Sequence, residues 1–250
     1  MEFIRATWDQ APANVGSLMT LRGGGVSAAP YDDGCGGGGL NLGTHVGDDP
    51  ACVQHNRRLL RQVLPAEPAW LSQVHGTRVV DAATAGSIPA SADASIATQP
   101  GVVCAVLTAD CLPVLLCDRA GHVVGAAHAG WRGLQAGVLE RTLEAMRAAG
   151  ASDILAWLGP AIGPQAFEVG AEVRQAFVEQ DVAAGDAFAS TMRIDKYRAD
   201  IYQLARMRLH NAGVELISGG GRCTVAERES FYSYRRDGVT GRMGSFIWLA

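Results

Sequence analysis

Residues 102–133, VVCAVLTADCLPVLLCDRAGHVVGAAHAGWRG, decide how this chain is read. Three short apolar runs, 102–107, 114–117 and 123–127, are separated by Thr108-Ala109-Asp110-Cys111 and by the turn Asp118-Arg119-Ala120-Gly121. Runs this short, rich in β-branched residues and bounded by turn formers read as buried strands. The tight connections predict an up-down-up meander, in which the ends of the first and third strands share a rim. Neighbouring strands lie about 4.8 Å apart, so those two ends stand roughly 10 Å apart before the loops converge. Cys111 follows the first end and His128 lies at the third. A thiol and an imidazole therefore share one rim, beside the glycines of HAGWRG.

Composition bounds what such a rim can serve. The chain has 250 residues, 48% of them hydrophobic and only 18% charged, against a usual quarter. Much of it must be buried, in a single domain over 1–250. A formal charge of −4 gives no electrostatic ground for a nucleic-acid partner. No apolar run reaches the length of a membrane helix, so no membrane partner is expected. The start, MEFIRATWDQAPANVG, lacks the apolar core of a signal peptide. The cysteines at 35, 52, 104, 111, 117 and 223 are accordingly expected as reduced thiols in a cytoplasmic protein, monomer or homodimer.

Outward from the central stretch, 17–22 reads as a strand and Asp49-Pro50 opens a helix through Val53, Arg57, Leu60 and Leu64. Between them, the glycines 36–39 read as a surface loop, while LNLGTHVGDD crowds Asn41, His45 and paired aspartates between glycines. Residues 69–74 and 77–82 predict a hairpin broken at His75-Gly76, and Ala92-Asp93-Ala94 precedes a further short strand. Residues 131–149 predict one amphipathic helix with Leu134, Val138, Leu139, Leu143 and Met146 inward. Strands at 154–158, 214–217 and 245–249, and helices at 169–179 and 197–212, complete the prediction. The fold class is mixed α/β (α+β), a single domain of largely antiparallel sheets flanked by helices.

His75, Cys111 and His128 each lie at a strand end followed by a turn, where distant segments converge. Two imidazoles and a thiolate suit a zinc ion with a fourth position open, and also match a copper site. A second reading needs no metal: Cys111 is a nucleophile, His128 or His75 its base, and Asp110 or Asp93 orients the imidazole. A buried structural thiol with two unrelated histidines is the plain alternative to both. Gly130 and Gly133 bracket a helix start and Arg132 offers a planar fork, a combination suited to phosphate or carboxylate. In the tail, Tyr234, Arg235, Arg236 and then Thr240-Gly241-Arg242 read as a solvated turn, or as an aromatic and cationic grip on a base or sugar phosphate.

The blocks WLSQVHGTRV, ADASIATQPGVVCAVLTADCLPVLL, GAAHAGWRGLQAGVLERT, LGPAIGPQAFEVGAEV and FYSYRRDGVTGRMGSFIWL resemble the laccase-domain proteins, also called the multicopper polyphenol oxidoreductase or peptidoglycan editing factor family. The match runs from about Thr20 to the C-terminus. The resemblance implies a laccase-domain fold related to cysteine hydrolases, with one zinc on the histidine of QVHG (His75), the cysteine of ADC (Cys111) and the histidine of HAGWRG (His128). It also implies a pocket role for Asn41, in the block Leu40-Asn41-Leu42-Gly43. The segment 35–39 departs from the family's short serine-containing turn.

The activities implied by the resemblance diverge. They are phosphorolysis of purine nucleosides with adenosine deamination and methylthioadenosine cleavage, copper-dependent oxidation of phenols, and removal of misbuilt cytoplasmic peptidoglycan precursors by amide hydrolysis. A multicopper centre needs a separate imidazole-rich cluster, and this chain has six histidines, at 45, 55, 75, 122, 128 and 210. The expectation is a zinc enzyme acting on small purine nucleosides with phosphate. In it His75, Cys111 and His128 hold the ion, Asp93 or Asp110 handles a proton, and Asn41, Gly130, Arg132 and Arg235 bind substrate.

Overall fold

Alternate residues of LPVLLCD point to opposite faces of a strand, and each face meets a different core. In the computed structural model, which describes residues 1–8, 10–86 and 88–250, Leu112, Val114 and Leu116 join one apolar cluster and Leu115 and Cys117 another. Strand Leu112–Asp118 is thus covered on both sides. It lies inside a six-stranded sheet ordered Ile217–Gly219, Ile154–Leu158, Leu112–Asp118, Val124–Ala129, Ala94–Ala97, Val79–Asp81. A five-stranded sheet, ordered Phe3–Ile4, Val15–Thr20, Met243–Leu249, Val103–Thr108, Pro68–Ala69, packs against it. Pairing is mostly antiparallel; in these two sheets the parallel pairs are at the edges.

The two sheets face each other across Met19, Val106, Leu115, Val124, Ala126 and Ile247. On the outer face of the five-stranded sheet, Leu18, Val103, Ala105 and Phe246 meet Leu60 of helix α1 (Pro50–Arg61). On the outer face of the six-stranded sheet lie α2 (Trp131–Ala136), α3 (Val138–Ala148), α4 (Ala171–Val178) and α5 (Ile201–Asn211). The layers therefore run helix, sheet, sheet, helices, the mixed and largely antiparallel class expected from the sequence. A short helix α6 (Tyr234–Asp237) and a three-stranded sheet of Glu168–Gly170, Lys196–Ala199 and Phe188–Ser190 flank the site described below.

Several local expectations are corrected. The meander does not form: Val103–Thr108 pairs with Met243–Leu249 and Pro68–Ala69 in the facing sheet, whereas Leu112–Asp118 pairs with Val124–Ala129. Asp110, at φ +93°, carries the chain from one sheet to the other. Cys111 consequently sits on a crossover between sheets rather than in a hairpin turn. The hairpin of 69–74 with 77–82 is also absent, because Pro68–Ala69, Leu71–Ser72 and Val79–Asp81 each run parallel to a different partner. There the Gln73 amide bonds both the N–H and the C=O of Leu107, at 2.7 and 2.8 Å, in place of a strand.

The helix of 131–149 is two helices, since Gly137 adopts φ +100°, which a residue without Cβ takes at no steric cost. Its five apolar positions are nonetheless buried as expected. The helix of 197–212 begins at Ile201, where the Asp200 carboxylate accepts from the N–H of Tyr202 and Gln203, and the residues before it form strand Lys196–Ala199. The strand at 214–217 starts later, as Ile217–Gly219.

Candidate metal centre and cavity

Burying a carboxylate is tolerable only when its oxygens are filled by donors. Asp93, fully buried just before strand Ala94–Ala97, meets that demand with backbone and ring together. Its carboxylate accepts from the N–H of Val74, His75 and Gly76 at 3.2, 2.9 and 2.7 Å, and it lies 2.8 Å from His128 Nδ1. Its own C=O accepts from His128 N at 2.7 Å. The turn carrying His75, itself at φ +60°, is thus wrapped around the same side chain that orients His128. With Nδ1 of His128 engaged, its Nε2 is left as the ligand atom.

Cys111 arrives from the crossover. Its Sγ lies 3.7 Å from His75 Nε2, and the two imidazole rings are 4.8 Å apart at 70°. One ligand atom from each of His75, Cys111 and His128 falls within 4.8 Å of the others. Two ring nitrogens and one sulfur at that spacing, with one ring oriented by a carboxylate behind it, could hold a metal ion. Gly130 makes the approach possible: a Cβ there would stand 2.7 Å from His75 Cδ2 and 3.0 Å from Cys111 Sγ. Among the described residues this is the one group of three or more such side chains that could hold an ion.

The electrostatics match the donor set. Burial pushes the Cys111 thiol up, but the charge and hydrogen bond of His128, and then His75, bring it down to about 6. For His128, burial pulls the other way, yet the Cys111 thiolate and the Asp93 carboxylate raise it to about 9. The sulfur is therefore poised as a thiolate beside a cationic ring. Burial raises Asp93 too, and the His128 and Gly76 hydrogen bonds outweigh it, holding the carboxyl below its ordinary value.

The three ligands open onto a cavity of about 510 Å³, in the range that takes a nucleoside-sized molecule. Its apolar wall includes Leu107, Trp131, Ile162, Phe167 and Ile201, and its cations are Arg132, Arg235 and Arg242. Among the described residues none of these three arginines pairs with a carboxylate. Arg132 lies over the Trp131 ring at 4.4 Å, while Arg235 lies over Phe167 at 5.6 Å and donates to the Glu168 C=O.

The sequence-predicted residues divide into those at the cavity and those behind it. His75, Asp110, Cys111, His128, Arg132 and Arg235 line it. Asp93 does not; it stands behind His128. Asn41 does not either: fully buried, its amide binds Asp48, Gly43 and the N–H of Arg242. Asn41 therefore shapes the segment that presents Arg242. Gly130 contributes space, and Asp110 has both carboxylate oxygens engaged, by Thr224 and by the N–H of Arg235.

The sequence offers no site role for His45 or Phe167, and for Arg242 it leaves two readings open, a solvated turn or part of a cationic grip on the substrate. All three line the cavity. Loss of surrounding water, then the charges of Arg242 and Arg57, hold His45 below its ordinary pKa.

Comparison with known proteins bears on this geometry. The model of the family described as multi-copper polyphenol oxidoreductase laccase matches residues 16–250. The chain is 57% identical over 244 residues to purine nucleoside phosphorylase YfiH of Escherichia coli (strain K12), covering 97% of this chain and 96% of that one. It is 52% identical over 239 residues to a purine nucleoside phosphorylase of Pseudomonas aeruginosa, covering 96% and 95%. The crystal structure of a Neisseria meningitidis protein superposes with a TM-score of 0.91 at 50% identity, over 100% of this chain and 99% of that one.

Proposed function

The chain belongs to the multi-copper polyphenol oxidoreductase laccase family, and from that membership and the geometry of the cavity we propose that it is a zinc-dependent purine nucleoside phosphorylase. In this reading it is cytoplasmic, also cleaves methylthioadenosine and deaminates adenosine. The observation that carries it is the placing of Arg132, Arg235 and Arg242 around the same cavity as His75, Cys111 and His128. Guanidinium groups without a carboxylate partner among the described residues suit phosphate, which a phosphorylase must hold and a hydrolase need not.

His75, Cys111 and His128 would hold the ion. Zinc, when bound, supplies a Lewis acid that stabilises negative charge developing on oxygen. The arginines bind and orient phosphate for attack at C1′ of the ribose. The N-glycosidic bond breaks, an oxygen of hydrogen phosphate bonds to C1′ to give ribose-1-phosphate, and the purine leaves with the electron pair and takes up the proton that the phosphate gives up. The apolar wall of Leu107, Ile162 and Phe167 takes the flat base and keeps water from competing with phosphate. In deamination, water adds at C6 and ammonia departs, a reaction that the arginines do not serve. Asp93 keeps the His128 ring in one tautomer throughout.

Copper oxidation of phenols has less support. Beyond His75 and His128, His45 is the one imidazole among the described residues that lines the cavity, too few for a further copper cluster. A thiol mechanism on a cell-wall amide keeps one observation in its favour, the sequence of contacts Cys111, His128, Asp93. Incubation of the zinc-loaded protein with inosine, adenosine or methylthioadenosine, with and without phosphate, tests the proposal. Phosphate-dependent release of hypoxanthine or adenine is expected. Base release that ignores phosphate, or cleavage of a muramyl amide alone, would overturn it.

A further inference from the structure

Asp110 is bonded on every side. It is buried, and it holds φ +93°, a conformation a non-glycine residue keeps only when its surroundings enforce it. Its C=O accepts from Ile162 N at 2.8 Å. Its Oδ1 accepts from the Thr224 hydroxyl at 2.6 Å, and its Oδ2 accepts from Arg235 N at 2.6 Å. Arg235 is in the first turn of α6, where a backbone N–H has no partner within the helix. Three segments, the loop at Ile162, the segment at Thr224 and the start of α6, thus converge on the residue that precedes Cys111.

We propose that Asp110 is a positioning residue that locks the Cys111 loop to the arginine-bearing α6, so that metal affinity and phosphate affinity both depend on it. The carboxylate fixes two things at once. It sets the direction in which the chain leaves strand Val103–Thr108, and hence where Cys111 Sγ stands relative to His75 and His128. It also sets where the first turn of α6 begins, and hence where the Arg235 guanidinium lies against Phe167. With both oxygens filled by donors, the side chain acts through its neighbours and not on the substrate. The phosphate half of this inference rests on the function proposed above; the metal half does not.

The test uses zinc alone and inorganic phosphate as probes, and no turnover. Zinc affinity is read by competition with a chromophoric chelator, and phosphate affinity by calorimetry on the zinc-loaded protein. Asp110→Ala is expected to weaken zinc by about 10- to 100-fold, the usual cost of losing a group that orients a ligand, and to weaken phosphate in parallel. Thr224→Val, which removes one of the two side-chain bonds, lowers both affinities by a smaller factor. Asp110→Asn keeps both within a few-fold of the parent, because its amide can accept from Arg235 N and donate to the Thr224 hydroxyl. Should Asp110→Ala fail to fold, the other two variants carry the test.

The joint dependence is overturned if either affinity falls while the other stays at the parent value. It is also overturned if Asp110→Asn is as damaging as Thr224→Val or worse, which would assign the effect to charge. Absence of phosphorolysis with zinc and phosphate still bound would sink the proposed function and leave this dependence standing.

Discussion

Asp93 Oδ1 lies 2.8 Å from His128 Nδ1 and also accepts from the backbone N–H of His75. One buried carboxylate therefore fixes two of the three candidate ligands, the ring of one and the backbone turn of the other. Replacement by Asn keeps the size but turns a donor toward at least one of the N–H groups that the carboxylate accepts. Zinc affinity in Asp93→Asn is expected to fall about 10- to 100-fold, measured by chelator competition. An unchanged affinity contradicts the orienting role.

Gly130 tests the closeness of the ligands. A methyl group there meets His75 Cδ2 and Cys111 Sγ at 2.7 and 3.0 Å, so Gly130→Ala must push the ligands apart. Displacements of this order cost on the order of 100-fold in rate. Phosphorolysis by Gly130→Ala should drop by that order while circular dichroism stays that of the parent; full activity would mean that the three ligands need not meet.

Arg132 is exposed and stacks on Trp131 without a carboxylate partner among the described residues. Its removal should leave the fold intact and reach only the anion. A charge-assisted hydrogen bond is worth about 1.5–3 kcal/mol, so Arg132→Ala should raise the KM for phosphate by about 10-fold or more. The KM for the nucleoside should change little. A rise confined to the nucleoside would reassign Arg132 to the base or sugar.

Metal binding should release a proton near neutral pH. With Cys111 down at about 6 and His128 up at about 9, the metal-free protein at pH 7 carries a thiolate and a protonated ring. A metal accepts only the neutral imidazole, so binding displaces the His128 proton. Apparent zinc affinity should therefore climb about tenfold per pH unit between those two values and level off above them. Titration calorimetry in two buffers of different ionisation heat counts the protons; a count near zero at pH 7 contradicts the pairing.

Much of this was legible in the sequence, and the failures share a cause. Cys111, His128 and His75 were found because each follows a short apolar run, and runs end where a sheet has a rim. The sequence pattern puts strand Val103–Thr108 in the wrong sheet because both its faces are apolar, which periodicity reads identically for an antiparallel neighbour and for a strand across a sandwich. The turn at His75 looked like a hairpin because its true organiser, Asp93, is distant in sequence. Phe167 and Arg242 reach the cavity through contacts of the same kind, Phe167 through the N–H that its C=O accepts from Ala199 and Arg242 through the N–H that it gives to Asn41. Local pattern does not encode such pairings. Glycines marked the remaining breaks: Gly137 splits the helix after HAGWRG, and its φ of +100° could be suspected only as one glycine within an otherwise regular period.

One ion held by His75, Cys111 and His128 is what the proposed displacement of a purine by phosphate requires. Its most direct test is the rate of hypoxanthine release from inosine and phosphate by metal-stripped protein, before and after one equivalent of zinc, in the parent and in Cys111→Ala. The prediction is no release from stripped parent, recovery on adding zinc, and no recovery in Cys111→Ala. Full turnover by stripped protein, or zinc-restored turnover in Cys111→Ala, would contradict it.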